Sequence, residues 1–117
     1  MSAQSTVYKI AVQSEWSAAR ASGRYDGSGD DRRDGFIHFS TARQVPATLE
    51  RHFAGRTDLV IAAIDVARLG AALVFEPSRR GELFPHLHGA LDMAAVVWEK
   101  PLVVGPDGRH VLPQEVA

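Results

Sequence analysis

The stretch LVIAAI at residues 59–64 is the longest apolar run in this 117-residue chain. Its apolar residues follow one another without polar interruptions, which is typical of a β-strand that is covered on both faces. We therefore predict that this segment is the central strand of a sheet. The run falls far short of the roughly 20 apolar residues that are needed to span a bilayer.

The segment near the start of the chain is predicted to form a strand and then a helix. Residues 7–12 are mostly apolar, and the period of two along a strand places Lys9 on the opposite face from Tyr8. Ser14 belongs to the residue types that cap helices, so we predict that a helix begins there. Gly23 can adopt the left-handed conformation that ends helices, and we predict the helix end at this residue.

A polar stretch at residues 26–35 separates this helix from the next strand. Its sequence, DGSGDDRRDG, is rich in glycine and charge, which is typical of a flexible surface loop. The strand resumes at residues 36–39. Because the loop directly precedes that strand, we expect it to close over a site there as a lid.

A second helix is predicted from an apolar repeat. Val45, Leu49 and Phe53 recur at intervals of four, which is one face of an amphipathic helix. Proline lacks a backbone donor, so the regular helix should begin at about Pro46, after a loose turn. Gly55 is the predicted end of this helix.

The remainder of the chain contains four shorter extended segments, at residues 72–76, 83–88, 95–103 and 109–112. The turn GPDG at residues 105–108 suits a hairpin between the last two. Pro101 cannot donate to a sheet, so its segment should lie at a sheet edge or carry a bulge there. The predicted fold class is α+β: a single compact domain over residues 1–117, with two early helices and a mostly antiparallel sheet system.

The composition narrows the class of protein. Thirteen lysines and arginines against fourteen acidic residues give a net charge of -1, so neither a broad nucleic-acid surface nor binding to anionic lipid is expected. The absence of cysteine excludes disulfides and thiolate metal sites. The first six residues lack the charged and apolar parts of a signal peptide, so we expect a cytoplasmic protein without a membrane segment.

Two polar residues share a face of the strand that follows the polar stretch. His38 and Ser40 lie on one face, and Ile37 and Phe39 lie on the other. If the two apolar residues enter the core, His38 and Ser40 project together towards a groove or the solvent.

Two further histidines share a face of a later strand. His86 and His88 place two imidazoles on one side, and a carboxylate such as Glu76 or Asp92 could complete a metal site. In the alternative interpretation, the buried histidines are satisfied by hydrogen bonds and bind no metal, and we predict no metal site.

A third interpretation is a nucleotide or phosphate site. Ser40 and Thr41 lie at the predicted start of a helical segment, where free amides and the helix dipole favour an anion. Arg79 and Arg80, which precede Gly81, could bind a second phosphate.

Several segments together resemble a known family. They occur in order over nearly the whole chain, and they resemble the short bacterial family catalogued as domain of unknown function 952. The segments are YKI at 8–10, DGFIHFSTA at 34–42, RHF at 51–53, FEP at 75–77 and GELFPHLHG at 81–89.

This resemblance implies the fold of the ADP-ribosylation superfamily, a split, sharply bent β structure in which NAD lies in a cleft between two small sheets. The segment from His38 to Thr41 is similar to the strand end that holds the nicotinamide ribose side. It is also similar to the histidine-bearing version of that motif in RNA 2′-phosphotransferases. The first-strand position that carries arginine or histidine in active transferases is Lys9 in this chain.

We therefore predict an ADP-ribosyltransferase-like protein that binds NAD, or another nucleotide-derived small molecule, as a substrate. His38 would orient a ribose hydroxyl or a phosphate, and Glu76 would stabilise an oxocarbenium-like transition state. The alternative is a non-catalytic module that binds the nucleotide and has lost the chemistry. The predicted ligand-binding residues are Lys9, Ser40, Thr41, Arg79, Arg80 and His86.

Overall fold

The chain forms ten β-strands and three α-helices over residues 5–116, which the computed structural model describes. In chain order the elements are β1 (Thr6–Val12), α1 (Gln13–Ser22), β2 (Arg24–Tyr25), α2 (Gly29–Asp34), β3 (Ile37–His38), α3 (Val45–His52), β4 (Leu59–Asp65), β5 (Leu73–Pro77), β6 (Leu83–Leu87), β7 (Leu91–Asp92), β8 (Val96–Pro101), β9 (Val103–Val104) and β10 (His110–Val111).

Strand β4 is the centre of the first sheet, as the continuous apolar run predicts. It pairs antiparallel with β1 on one side and with β8 on the other. Residues 59–64 of this strand are all buried. Strand β8 is an edge strand, and Pro101 lies at its end opposite Val60, so the prediction of an edge position for this proline is confirmed.

A second sheet has the strand order β3-β6-β5, and it is also antiparallel. Two small antiparallel pairs, β2 with β7 and β9 with β10, complete the strands of the described residues. A single bridge between Tyr8 and Ser40 connects the two larger sheets, through hydrogen bonds of 2.8 and 2.9 Å. The predicted α+β class with mostly antiparallel sheets is therefore confirmed.

The first sheet separates two apolar clusters. On one face, Val7 packs in a cluster with Trp16, Tyr25 and Leu87. On the other face, Tyr8 packs in a cluster with the residues of α3. Alternation along β1 thus places Lys9 on the Val7 face, as predicted.

Residues 26–35 are not the flexible loop that their glycine and charge content indicates. They contain helix α2, whose N-cap is Ser28, and Ser28 and Asp31 form a reciprocal capping box. Asp31 is buried, with 3% of its surface exposed. Because this carboxylate is tied into the structure, the segment has fixed contacts that a free lid would not have.

The helix boundaries differ from the predicted ones at two places, the start of α1 and the end of α3. Helix α1 begins at Gln13 after an extended Val12, so Ser14 lies inside the helix and is not its cap. The helix ends at Gly23 in the left-handed conformation, as predicted. Helix α3 ends at His52, before Gly55, because Phe53 leaves the helical conformation.

The extended segment predicted at 95–103 is broken by the structure into separate elements. A single 3₁₀ turn, Met93–Ala95, precedes β8, and Leu102 then separates β8 from β9. Strands β9 and β10 pair as the predicted hairpin. Within residues 5–116, no helix has the length and hydropathy that crossing a membrane requires.

Candidate functional site

The candidate site lies on the second sheet. His38 on β3 is directly opposite His86 on β6, and Glu76 on β5 is opposite Phe84, two residues before His86. Side chains that are opposite or diagonal on neighbouring strands lie within reach of one another. The sheet register therefore brings together three residues that the sequence analysis selected separately.

Phe36 lies among the histidines of this site. Its ring is stacked on that of His86, with a centroid distance of 4.0 Å and an interplanar angle of 25°. The centroids of His38 and His88 lie 4.7 and 5.3 Å from the Phe36 centroid. The rings of His38 and His86 meet edge to face at 5.5 Å. We call Phe36, His38, Glu76, His86 and His88 the histidine cluster.

Glu76 joins two of the histidines through one oxygen. Oε1 of Glu76 lies 2.9 Å from Nδ1 of His86 and 2.8 Å from Nε2 of His88. The hydrogen bonds from His88 and His86 lower the pKa of the Glu76 carboxyl below its usual value. Glu76 is therefore held as a carboxylate at neutral pH.

His86 is the most deeply placed histidine of the cluster. It is 3% exposed, and burial lowers the pKa of its imidazole, although the hydrogen bond to Glu76 opposes this effect. With Nδ1 donating to Glu76, Nε2 is buried without a hydrogen-bond partner among the described residues. The lone pair of this nitrogen is therefore a buried acceptor that no donor of these residues satisfies.

His38 is held by two carboxylates, and neither was selected from the sequence as a site residue. Oδ1 of Asp31 accepts hydrogen bonds from the His38 backbone N–H at 3.0 Å and from its Nδ1 at 2.6 Å. Nε2 of His38 lies 2.9 Å from Oδ2 of Asp34. The ring is about one-third exposed, so Nε2 lies on the accessible side of the site.

Lys9 binds both Asp31 and the backbone of His38 from the buried side of the site. Its Nζ donates to Oδ2 of Asp31 and to the backbone carbonyl of His38, both at 3.0 Å. Burial lowers the pKa of Lys9, and the charge of Asp31 opposes that effect. Burial would raise the pKa of Asp31, but the hydrogen bonds from His38 and the charge of Lys9 outweigh it and lower the pKa.

Ser40 and Thr41 lie close to His38 in the chain, and both make contacts within the protein. Oγ of Ser40 lies 2.9 Å from Oγ1 of Thr48, which is on α3. The backbone N–H of Thr41 donates to Oε1 of Gln44 at 3.0 Å. The helix itself begins at Val45, so its first free amides come later than the sequence analysis placed them.

The predicted arginine pair lies in the turn between β5 and β6. Arg80 is exposed, with a φ of 59°, in the left-handed region that few residues other than glycine adopt. The side chain of Arg79 lies outside the part of the chain that the structure describes. Within the described residues, Arg80 makes no hydrogen bond or ion pair with the histidine cluster.

Asp92, the other carboxylate considered for a metal site, lies on β7 and accepts from the backbone N–H of Ala94 at 2.9 Å. Residues 5–116 contain no group of three or more histidine and carboxylate side chains that could hold a metal ion. In these residues, Glu76 contacts His86 and His88 through hydrogen bonds.

Among the site residues that sequence reasoning missed, Asp31 is the buried carboxylate. It lies seven residues before His38, in a stretch whose charge suggested solvent exposure. The signal that could have found it is the spacing of Ser28 and Asp31, which matches a helix-capping box. A capping box turns its carboxylate back towards the helix start, and here that position also faces Lys9 and His38.

The fold and the cluster define the class of protein: a small α+β protein with two antiparallel three-stranded sheets, one of which carries the histidines. The model of the family described as protein of unknown function (DUF952) matches residues 10–99. The chain belongs to this family.

Solved structures of one bacterial protein are similar to this chain over most of its length. The crystal structure of protein CC0527 from Caulobacter crescentus is 40% identical, covers 95% of this chain and 97% of its own, and has a TM-score of 0.89. The solution NMR structure of CC0527 is 41% identical, covers 90% of each chain and has a TM-score of 0.81. No curated protein matches. The activity therefore has to be inferred from the site.

Proposed function

We propose that this protein binds NAD as a substrate at the histidine cluster and transfers the ADP-ribosyl group from it. The observation that carries the proposal is the convergence of His38, His86 and Glu76 around the ring of Phe36. Aromatic and imidazole rings offer faces on which a planar base can stack. A carboxylate beside them can stabilise positive charge on a neighbouring sugar.

Glu76 has the features that the reaction requires of its acid. Two histidines orient the carboxylate through Oε1, and Oε2 has no hydrogen bond to the rest of residues 5–116. In the proposed step, the bond from C1′ of the ribose to the nicotinamide nitrogen breaks, and its electron pair leaves with nicotinamide. Glu76 stabilises the cationic sugar, the acceptor then bonds to C1′, and the acceptor's proton passes to water.

His38 is the proposed group for orienting the ribose or a phosphate. Oδ1 of Asp31 accepts a hydrogen bond from Nδ1 of His38, so the ring orientation is fixed and Nε2 faces outward. Asp34, which meets Nε2, is about one-third exposed, and a ligand oxygen can take its place there. The split arrangement of two antiparallel sheets, joined at Tyr8 and Ser40, supports the ADP-ribosylation-like fold that this function needs.

One observation favours the second candidate, a nucleotide-binding module without catalysis. Lys9, the proposed first-strand ligand residue, is 5% exposed and already pairs with Asp31. If its ammonium stays in that pair, it contributes positive charge to the site but makes no direct contact with a ligand.

The two candidates are separated by measuring nicotinamide release from NAD together with NAD binding by amide chemical shifts. We expect release by the wild type, a loss of about a hundredfold in Glu76→Gln with binding retained, and a similar loss in His38→Ala. Glu50→Gln, an exposed carboxylate on α3, is the matched control and should release nicotinamide normally.

Two outcomes would overturn the transfer function. NAD binding without nicotinamide release, in water and with every nucleophilic acceptor tried, would leave the non-catalytic module. The absence of shifts at residues 36–41 and at Glu76 with saturating NAD would exclude both candidates.

A further inference from the structure

A cavity of about 190 Å³ lies beside the histidine cluster, between α2 and the loop that joins β6 to β7. Phe36 lines it and also packs against the three histidines, so the cavity and the cluster share this residue. The walls include Gly35 and Gly89, which have no side chain, and Ala90, which has only a methyl group. At about 190 Å³ the cavity is more than ten times the roughly 10–15 Å³ that holds one water, so it has room for a phosphoryl group.

Of the four charged residues that line the cavity, three are paired with an opposite charge of the described residues and one is not. Its charged lining residues are Arg24, Asp26, Asp31 and Arg32. Nε of Arg24 lies 2.7 Å from Oδ1 of Asp26, which balances that pair, and the Asp31 carboxylate is paired with buried Lys9. Arg32 has no ion pair or side-chain hydrogen bond with any other residue of the range 5–116. Its charge is therefore the uncompensated one at the cavity.

We propose that this cavity is a subsite for the pyrophosphate of the nucleotide ligand, with Arg32 as its main anion-binding residue. The inference rests on the proposed function for the identity of the ligand, and it adds a residue that the cluster does not contain. A planar base or nicotinamide on the Phe36 ring would place the attached phosphates next to this cavity. A guanidinium group suits phosphate oxygens because its planar N–H groups can donate two parallel hydrogen bonds.

The test uses Arg32→Gln and its neighbour Arg33→Gln, which removes the same charge from the same helix. Arg33 is exposed and does not line the cavity; it pairs with Asp30 at 3.1 Å and with Asp34 at 3.4 Å, so nicotinamide riboside also serves to detect any effect passed through Asp34 to His38. The ligands are ADP-ribose, nicotinamide riboside, which lacks phosphate, and inorganic pyrophosphate, each followed by amide chemical shifts. We expect Arg32→Gln to weaken ADP-ribose binding by about ten- to a hundredfold and to leave nicotinamide riboside unchanged. Arg33→Gln should change the affinity for ADP-ribose by less than about threefold.

Inorganic pyrophosphate should shift the amides of Arg32, Phe36 and Gly89 in the wild type. The subsite is overturned if these amides do not respond, or if the two arginine variants weaken ADP-ribose equally. In that case, shifts at His38 and Glu76 with ADP-ribose would leave the proposed function standing. Conversely, a pyrophosphate response at the cavity, without any response of His38 and Glu76 to NAD, would support the anion subsite and contradict the proposed function.

Discussion

Oδ1 of Asp31 accepts two hydrogen bonds from His38, one from the backbone N–H at 3.0 Å and one from Nδ1 at 2.6 Å. An ionised carboxylate can only accept, so Nδ1 of His38 donates in this hydrogen bond and carries a proton. Oδ2 of the same carboxylate meets Lys9 and Ser28. One buried side chain therefore connects α2 to both three-stranded sheets.

We predict that Asp31→Asn destabilises the protein by about 3–5 kcal/mol, the usual cost of removing one partner of a buried ion pair. The amide nitrogen of asparagine cannot accept, so it would face donors from either His38 or Lys9. The measurement is the free energy of unfolding from urea denaturation at pH 7.

Asp30→Asn is the matched control, because Asp30 is the neighbouring residue and forms an exposed pair with Arg33. Its cost should lie within about 0.5 kcal/mol. Equal costs for the two variants would contradict the structural role of Asp31.

We expect the free energy of unfolding to decrease at acid pH, partly because Asp31 becomes protonated. The pKa of this carboxyl is lower in the folded protein than in the unfolded chain, where it is about 3.9. The unfolded state therefore binds the proton first, and the stabilisation is complete above about pH 5 and decreases as the pH falls below 4. The free-energy gap between wild type and Asp31→Asn should narrow by roughly 1 kcal/mol between pH 5 and pH 3. A gap that stays constant between pH 5 and pH 3 would show that folding does not lower the pKa of Asp31.

Gly27 is predicted to be required for the position of α2. Its φ is +103°, and a Cβ added to it would lie 2.6 Å from Cβ of Asp31. Gly27→Ala should therefore lower the stability by about 1–3 kcal/mol, measured as a decrease in Tm. Gly29→Ala is the control, because nothing lies within 4 Å of its added Cβ, and this variant should be neutral or slightly more stable. Similar losses in both variants would contradict the close approach at Gly27.

The elements that the sequence predicts correctly are those in which burial and local pattern agree. The run at residues 59–64 is apolar throughout, and it forms the buried central strand β4. The alternation around His38 also places Ile37 and Phe39 in the core. Helix α2 was missed because its stability comes from one buried carboxylate, whose partners Lys9 and His38 are distant along the chain.

Some residues of the candidate site, such as His38 and His86, could be predicted from the sequence, but the way they come together could not. Strand periodicity selects His38 and His86, and only the β3-β6 register shows that they are opposite one another. The same limit applies to Phe36, whose ring lies on His86 at 4.0 Å. Local periodicity describes one strand at a time, whereas these contacts depend on which strands pair.

Ser40 offers a prediction that separates ligand binding from packing, because its hydroxyl lies 2.9 Å from that of Thr48. Ser40→Ala and Thr48→Ala both remove this hydrogen bond, so each should lower the free energy of unfolding by about 1 kcal/mol. If Ser40 contacts the ligand, as the sequence predicts, only Ser40→Ala also removes the group that binds NAD. The affinity for NAD, measured by amide chemical shifts, should then fall in Ser40→Ala and stay close to wild type in Thr48→Ala. Equal affinities in the two variants would show that Ser40 serves packing between β1 and α3 and makes no contact with the nucleotide.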